Sequence, residues 1–188
     1  EFYDGRLRDK HAASEFEVPA EFDWPVPGVP WCFVDVDGRE EATKERSWTN
    51  DKEAKIAAEV LASIVQRGRS PDKIGVAVPY AAQGKLLKSL LTREVAPFVH
   101  IDSIDAFQGR QFPFMLLLTV RSNTYGDLGF VGDDRRMNVG LTRSSGGIII
   151  FGNQETLEKG GLSWKRFLKH AASERVVVPC TDVCIQRR

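Results

Sequence analysis

Short runs of consecutive hydrophobic residues recur along the chain, separated by longer stretches in which hydrophobic and polar residues are mixed. A run that is apolar at every position is typical of a strand buried on both faces of a parallel sheet. Five runs predict strands, and a sixth follows the last predicted helix. The runs span residues 31–36, 74–78, 99–101, 114–120, 148–151 and 176–178.

Between these runs, hydrophobic residues recur three or four positions apart, which is the period of an amphipathic helix. Asn50 stands three residues before Glu53, the spacing of an N-terminal capping pair, and predicts that a helix begins there and ends near Gly68. The charged residues 39–49 before it predict a loop. The apolar stripe of this helix comprises Ile56, Val60, Leu61, Ile64 and Val65. Further helices are predicted around residues 86–91, from residue 133 or 134, and around residues 164–168.

Alternating strands and helices predict an α/β domain, at residues 31–188, whose mainly parallel sheet is covered by helices on both faces. In such folds ligands bind at the carboxyl ends of the strands, where we expect the polar motifs to lie. Four prolines interrupt residues 1–30, so we expect an irregular lead-in segment that packs across the domain surface. These prolines are Pro19, Pro25, Pro27 and Pro30.

Composition narrows the class of protein. Hydrophobic residues make up 42% of the 188 residues, enough for the core of one domain. The 26 basic and 26 acidic residues cancel, so nucleic-acid binding requires a local patch rather than overall charge. No run of about 18 apolar residues predicts a membrane span. The first residues lack the pattern of a signal peptide and do not begin with Met, so we expect a part of a longer nuclear or cytoplasmic polypeptide.

The cysteines Cys32, Cys180 and Cys184 are sparse and odd in number, which fits a reducing compartment better than a disulfide scaffold. Cys180, Cys184 and His170 do not make a zinc site, because a fourth ligand is missing and the spacing is loose. We predict no metal site of the chain's own.

Three segments carry more than fold information. They are IGVAVPYAAQ at 74–83; IDSIDAFQGRQ at 101–111 with VRSN at 120–123; and GFVGDDRRMNVGLTR at 129–143 with GN at 152–153. In this order and spacing they resemble the second motor domain of the superfamily-one helicases, and most closely the group of the nonsense-mediated-decay helicase and senataxin. Residues 2–7 also resemble the segment that follows this family's Tyr-Arg-Met-His-Pro motif. The resemblance implies a RecA-like three-layer sandwich.

In the third segment, Asp133 and Asp134 can cap a helix that carries Arg136, Gly140 and Arg143 on one face. A residue without a side chain between two guanidiniums leaves room for a phosphate, which Arg binds bidentately. The resemblance implies that Arg143 is the arginine finger, the catalytic group that reaches the γ-phosphate of ATP, and that Arg136 and Gly140 also contact the nucleotide. The alternative is a surface arginine paired with Asp133 or Asp134.

In the second segment, Gly109 lets the backbone approach a ligand or the opposite domain. The resemblance implies that this loop couples the ATP cleft to the nucleic-acid track through Asp105 and Gln108, and that Ser103 contacts a backbone phosphate. Gln111 stands where family members have a glutamate that holds the ribose, and the following Phe-Pro replaces a polar pair, which puts nucleotide affinity in question. The alternative is an ordinary strand-to-helix turn.

The first segment ends a strand with Pro79 and Tyr80, and Gln83 follows one helical turn later. Tyr80 either stacks against a base or sugar, or is a core residue with a solvated hydroxyl. By resemblance, Pro79, Tyr80, Gln83 and Asn123 contact the nucleic-acid strand.

A phosphate-binding loop of the form Gly-x-x-x-x-Gly-Lys-Ser/Thr is absent, since the one Gly-Lys pair, Gly84-Lys85, lacks the first glycine and the hydroxyl. No Asp-Glu pair occurs either. We therefore expect that the chain alone does not hydrolyse ATP, and that ATP and Mg²⁺ require the first RecA-like domain of the same polypeptide. The other expected partner is single-stranded RNA or DNA, and no oligomer is expected.

Two alternatives to a working motor remain open. One is a degenerate, non-hydrolysing domain that serves as an RNA clamp or scaffold. The departures from the family pattern at residues 111–113 favour this alternative. The other is an unrelated nucleotide-binding α/β protein.

Overall fold

A computed structural model describes residues 18–183 and places six parallel strands in one sheet, in the order β5-β4-β6-β7-β1-β8. This confirms the predicted α/β class with a mainly parallel sheet. The strands of the sheet are β1 (Trp31–Asp35), β4 (Ile74–Val78), β5 (His100–Ser103), β6 (Phe112–Leu118), β7 (Ser144–Gly152) and β8 (Val177–Pro179). The helices are α1 (Asp51–Gln66), α2 (Ala81–Leu90), α3 (Asp134–Leu141), α4 (Gln154–Gly160), α5 (Leu162–Ser173) and α6 (Cys180–Val183). Three 3₁₀ turns span Pro71–Lys73, Ile104–Phe107 and Gly129–Gly132.

Helices cover both faces of the sheet because successive side chains of each strand point to opposite faces. On β6, Leu116 packs in the core formed with α1 and α2, whereas Met115 and Leu117 pack in the core formed with α3, α4 and α5. All three side chains are fully buried or nearly so. None of the helices among the described residues is long and apolar enough to cross a membrane.

Part of the predicted lead-in segment, residues 1–17, lies outside the described residues. Residues 18–30 form no strand or helix. They pack into the core through Trp24, whose ring stacks on Phe114 at 5.6 Å between centroids and whose indole donates to the Pro19 carbonyl at 2.8 Å. This segment therefore covers the α1 side of the sheet.

The prediction of a loop over 39–49 is wrong in part. Strands β2 (Glu40–Ala42) and β3 (Trp48–Asn50) form a separate antiparallel hairpin. Neither strand contains a hydrophobic run, so their pattern did not distinguish them from a loop. The hairpin leads directly into α1.

The predicted cap of α1 is formed, but only in one direction. The Asn50 side chain accepts a hydrogen bond from the Glu53 amide at 3.1 Å, as expected. The Glu53 carboxylate does not return to the Asn50 amide; both of its oxygens instead accept from the Val120 amide, at 3.0 and 3.1 Å. The Asn50 amide donates to Gln83 at 2.8 Å.

Strand β6 ends at Leu118, two residues before its predicted end. Val120 has φ +70°, which is strained for a β-branched residue, and the Arg121 amide donates to the Thr119 carbonyl at 2.8 Å to close a γ-turn. The turn is stabilised from α1, because Glu53 accepts from the Val120 amide and the Asn50 side chain donates to its carbonyl at 3.2 Å. This turn directs the next residues across the carboxyl edge of the sheet.

Candidate functional site

A charged cluster lies at the carboxyl edge, just after the γ-turn. The guanidinium of Arg121, 2% exposed as a residue, donates to Glu40 at 3.0 and 3.2 Å and to Asp127 at 2.8 Å. Its central carbon lies 4.5 Å from the centre of the Trp48 ring. Arg121 therefore joins the β2–β3 hairpin to the end of the sheet.

The carboxylate of Glu40 accepts hydrogen bonds from three residues of this cluster. Besides Arg121, these are the Ser122 amide and the Asn123 side-chain amide, the latter at 3.1 Å. Burial opposes ionisation of Glu40, but these hydrogen bonds outweigh it and hold its pKa below the usual range. Burial likewise opposes the charge of Arg121, and its bonds to Glu40 and Asp127 raise its pKa. The positive charge of Arg121 is thus paired with the carboxylates of Glu40 and Asp127.

Tyr80 is a core residue and offers no ring face to a nucleic acid as placed. It is 5% exposed, and its hydroxyl accepts from Arg121 and from the Phe130 amide, both at 3.4 Å. Its ring packs against Phe130 at 5.4 Å. Of the two interpretations, the one with a buried ring describes the position, although Arg121 and the backbone bind the hydroxyl.

Two other residues predicted to contact the nucleic acid, Gln83 and Asn123, form hydrogen bonds inside the protein. Gln83 is fully buried, and its side chain bonds both the amide and the carbonyl of Asn50, at 2.8 and 3.1 Å. Asn123 donates to Glu40 and to the Asp127 carbonyl and accepts from the Asp127 amide. Neither side chain, as placed, is available to a nucleic acid.

Pro79 and Ser103 do lie together at the carboxyl edge, because Val78 pairs with Ser103 in the sheet. Pro79 is half-buried and Ser103 is exposed. The Ser103 hydroxyl accepts from the Ala106 amide at 3.3 Å, which caps the following 3₁₀ turn.

The 3₁₀ turn after β5 and the start of α3 are joined by an ion pair. Arg136 donates to Asp105 through Nε and through its terminal nitrogen, each at 3.0 Å. The charge and hydrogen bonds of Asp105 raise the pKa of Arg136. The same guanidinium lies 5.0 Å from the centre of the Phe130 ring. Two residues predicted for separate roles, coupling and nucleotide contact, therefore touch each other.

Arg143 does not share a helix face with Arg136, because α3 ends at Leu141 and Arg143 lies in the turn before β7. Its guanidinium donates to the Val139 carbonyl at 3.2 Å and to the Thr142 hydroxyl at 2.7 Å. Within residues 18–183 it contacts no carboxylate.

The alternative pairing of Arg143 with Asp133 or Asp134 is not observed. Asp133 instead caps α3, as predicted, by accepting from the Arg135 and Arg136 amides. The positive charge of Arg143 is therefore held by neutral groups among the described residues, at the opposite end of α3.

Gln111 lies beside Arg143, since the next residue, Phe112, donates its amide to the Arg143 carbonyl at 3.0 Å. Both residues precede strands, β6 and β7, and so lie at the amino edge of the sheet. The expectation that all polar motifs lie at the carboxyl ends is wrong for these two, because the loop after β5 and the turn after α3 each return the chain to the other edge.

The two predicted glycine contacts differ. Gly140 is buried with its α-carbon against Leu117, where an added β-carbon would meet the leucine methyls at 3.1 Å. Its missing side chain therefore lets α3 approach the sheet, and the space beside it is taken by Leu117. Gly109 is exposed with φ +77° and open space around it, in the loop with the exposed Gln108. This loop can accept a ligand or another domain.

No group of three or more His, Cys, Asp or Glu side chains in the described part of the chain could hold a metal ion. Cys32 is buried in the core, which raises the pKa of its thiol. Cys180 is also buried, and His170 stacks on Trp31 at 5.9 Å. Cys184 lies outside the described residues.

Three residues at the carboxyl edge were missed as site residues. Glu40 lies in a segment whose charge pattern resembled a loop, and Arg121 belonged to a quoted motif without an assigned role. Phe130 belongs to the third segment, where it is a large apolar residue between two glycines, Gly129 and Gly132. A large apolar residue in such a turn is the pattern that could have indicated an exposed ring.

Comparison with known proteins places the chain in a family. The family model described as "AAA domain" matches residues 1–155. The chain is 33% identical to "Regulator of nonsense transcripts 1" of Dictyostelium discoideum, over 94% of this chain and 14% of the relative. It is 34% identical to "ATP-dependent helicase NAM7" of Saccharomyces cerevisiae, over 96% of this chain and 19% of the relative. For "ATP-dependent helicase upf1" of Schizosaccharomyces pombe the identity is 31%, over 99% and 21%.

The chain thus spans only 14–21% of the length of these relatives. The family model nevertheless matches well over half of this chain and includes all three polar segments. Helix α5 and strand β8 lie beyond the matched residues. The chain, whose parallel sheet carries Arg143 at one edge and the Arg121 cluster at the other, therefore belongs to the AAA domain family that the matching model describes.

Proposed function

We propose that this chain is the second motor domain of an ATP-dependent helicase and that Arg143 is its contribution to ATP hydrolysis. The supporting observation is the guanidinium of Arg143, fixed by a carbonyl and a hydroxyl but not neutralised by a carboxylate among the described residues. A fixed, uncompensated guanidinium at a domain edge is suited to a phosphate group.

The nucleotide is held mainly by another domain, because the chain has neither a phosphate-binding loop nor a metal-binding cluster among its described residues. ATP, when bound, supplies a γ-phosphoryl group whose oxygens carry the charge that an arginine stabilises in the transition state. Gln111, beside Arg143 at the same edge, is exposed, and we assign its side-chain amide to a hydrogen bond with a ribose hydroxyl. Gly109 and Gln108 provide an open loop next to it.

The direct test is nucleic-acid-stimulated ATP hydrolysis by the full-length protein that contains this chain. Arg143→Ala is expected to lower kcat by about a thousandfold or more, which is the effect of an arginine supplied across a domain interface. Binding of single-stranded RNA, measured in parallel, is expected to change little, because Arg143 lies at the edge opposite to Pro79 and Ser103.

The matched control is Arg135→Ala, since Arg135 is an exposed arginine of α3 whose side chain makes no hydrogen bond or ion pair with another described residue. It is expected to retain wild-type hydrolysis. Equal rates for Arg143→Ala and Arg135→Ala would refute the role of Arg143. A wild-type protein that binds RNA but hydrolyses no ATP would favour a clamp instead.

A further inference from the structure

The 3₁₀ turn Gly129–Gly132 holds one large aromatic side chain in solvent. Leu128 and Val131 are 5% and 2% exposed and anchor the turn in the core, whereas the Phe130 ring between them is 50% exposed. Exposing half of a phenyl ring forfeits hydrophobic stabilisation that burial would supply. Single exposed apolar residues are common, so exposure alone does not identify a site.

The turn is built to fix this ring. Gly129 has φ +52°, and a β-carbon there would overlap the Tyr80 hydroxyl and the Arg121 guanidinium, so only glycine fits. The Gly129 amide donates to Asp127 at 3.0 Å, and the Phe130 amide donates to the Tyr80 hydroxyl at 3.4 Å. The backbone that carries Phe130 is therefore clamped on both sides.

The ring is also supported by planar groups. Tyr80 packs against it at 5.4 Å, and the guanidinium of Arg136 lies 5.0 Å from its centre. Asp105 binds Arg136 through two nitrogens and so fixes the guanidinium beside the ring. An aromatic ring beside a guanidinium provides flat surfaces of the kind on which nucleobases stack.

We propose that Phe130, beside Arg136, is the stacking platform for one base of the single strand on which this domain acts. This inference rests on the proposed helicase function. The ring belongs to the carboxyl edge that also carries the half-buried Pro79 and the exposed Ser103, and Tyr80 directly links Pro79 to Phe130. It takes over the stacking role for which Tyr80 is too deeply buried. Because stacking reads the π-face of any base, the platform does not select a sequence.

The test measures the affinity of the full-length protein for a fluorescein-labelled ten-nucleotide oligouridylate, at one fixed salt concentration. Phe130→Ala is expected to weaken binding by about 5- to 150-fold, which corresponds to the loss of one stacked base. Phe130→Leu, which keeps the apolar contacts of the turn but has no ring, is expected to show the same loss. Phe130→Trp is expected to restore the wild-type affinity.

The matched control is Tyr125→Ala. Tyr125 lies in the same connection between β6 and α3 and is 74% exposed, but no other described ring or cation contacts it. It is expected to bind as the wild type does.

An oligonucleotide with the same backbone and abasic residues separates stacking from other effects. Wild type and Phe130→Ala are expected to bind it equally. If Phe130→Ala matches the wild type on oligouridylate, or loses the same factor on the abasic strand, then the ring packs against protein instead and the inference fails. If the wild type binds neither strand, the proposed function fails as well.

Discussion

At the scale of single residues, the structure separates side chains whose polar groups are bound within the fold from those to which we assign a ligand, although they occupy the same motifs. Tyr80, Gln83 and Asn123 are bound by internal partners, whereas Arg143 is held by neutral groups and Phe130 is exposed. A residue's identity within a motif thus does not decide its role; its partners do.

Glu53, near the start of α1, carries a fully buried carboxyl group. Burial raises the pKa of its carboxyl well above the usual range, and the Val120 amide only partly offsets this. A raised pKa in the folded state means that stability is fully present below the unfolded pKa, about 4.3, and is lost as pH rises through the folded pKa.

We therefore predict that the wild type loses stability relative to Glu53→Gln as pH rises above about 4.3, by up to about 1.4 kcal/mol per pH unit. The measurement is urea unfolding of both proteins over a pH series. Glu40 and Asp127, whose pKa values are lowered, are common to both proteins and cancel in the difference. A difference in unfolding free energy that does not change with pH would contradict a raised pKa of the buried Glu53 carboxyl.

At the scale of elements, α1 stabilises a region of the sheet edge that is distant in sequence. Asn50 caps the helix and also donates to the carbonyls of Gly38 and Val120, both at 3.2 Å. The start of α1 therefore fixes the hairpin before it and the γ-turn after β6 together.

We expect Asn50→Ala to destabilise the fold by about 2–4 kcal/mol, because it removes a cap worth about 1 kcal/mol and leaves two buried carbonyls without a donor. Asn153→Ala is the matched control, since Asn153 caps α4 by accepting from the Thr156 amide and its side chain makes no other hydrogen bond with residues 18–183. It should cost only about 1 kcal/mol. Equal losses in chemical denaturation of the two variants would show that Asn50 is only a cap.

The elements also show how far sequence patterns reach. Ile74–Val78 was predicted with its observed bounds because all five residues are buried on both faces of the sheet. The β2–β3 hairpin was missed because it is short, half-buried or exposed rather than buried at every position but Asn50, and paired only with itself. Contacts such as that of Gln83 with Asn50, 33 residues away, depend on the tertiary fold and leave no local pattern. For the same reason the sequence identified Arg143 as a candidate but placed it on the wrong element.

At the scale of the whole molecule, the two candidate regions lie at opposite edges of one sheet. Asp105, Arg136 and Phe130 lie at the carboxyl edge, and Gln111 and Arg143 at the amino edge. Helix α3 connects them, since Arg136 is in its first turn and Arg143 follows its end. Helix α3 therefore joins the Phe130–Arg136 region to Arg143. In the proposed motor, this helix links binding of the nucleic-acid strand to ATP hydrolysis.

In the proposed mechanism, Arg143 stabilises the transition state of hydrolysis more than it stabilises the bound nucleotide. The most direct measurement compares the affinity of the full-length protein for ADP with aluminium fluoride, a transition-state analogue, against its affinity for ADP alone. We predict that Arg143→Ala lowers the ratio of these affinities by about a hundredfold or more while affinity for ADP stays near that of the wild type. An unchanged ratio in Arg143→Ala would show that Arg143 does not act on the transition state.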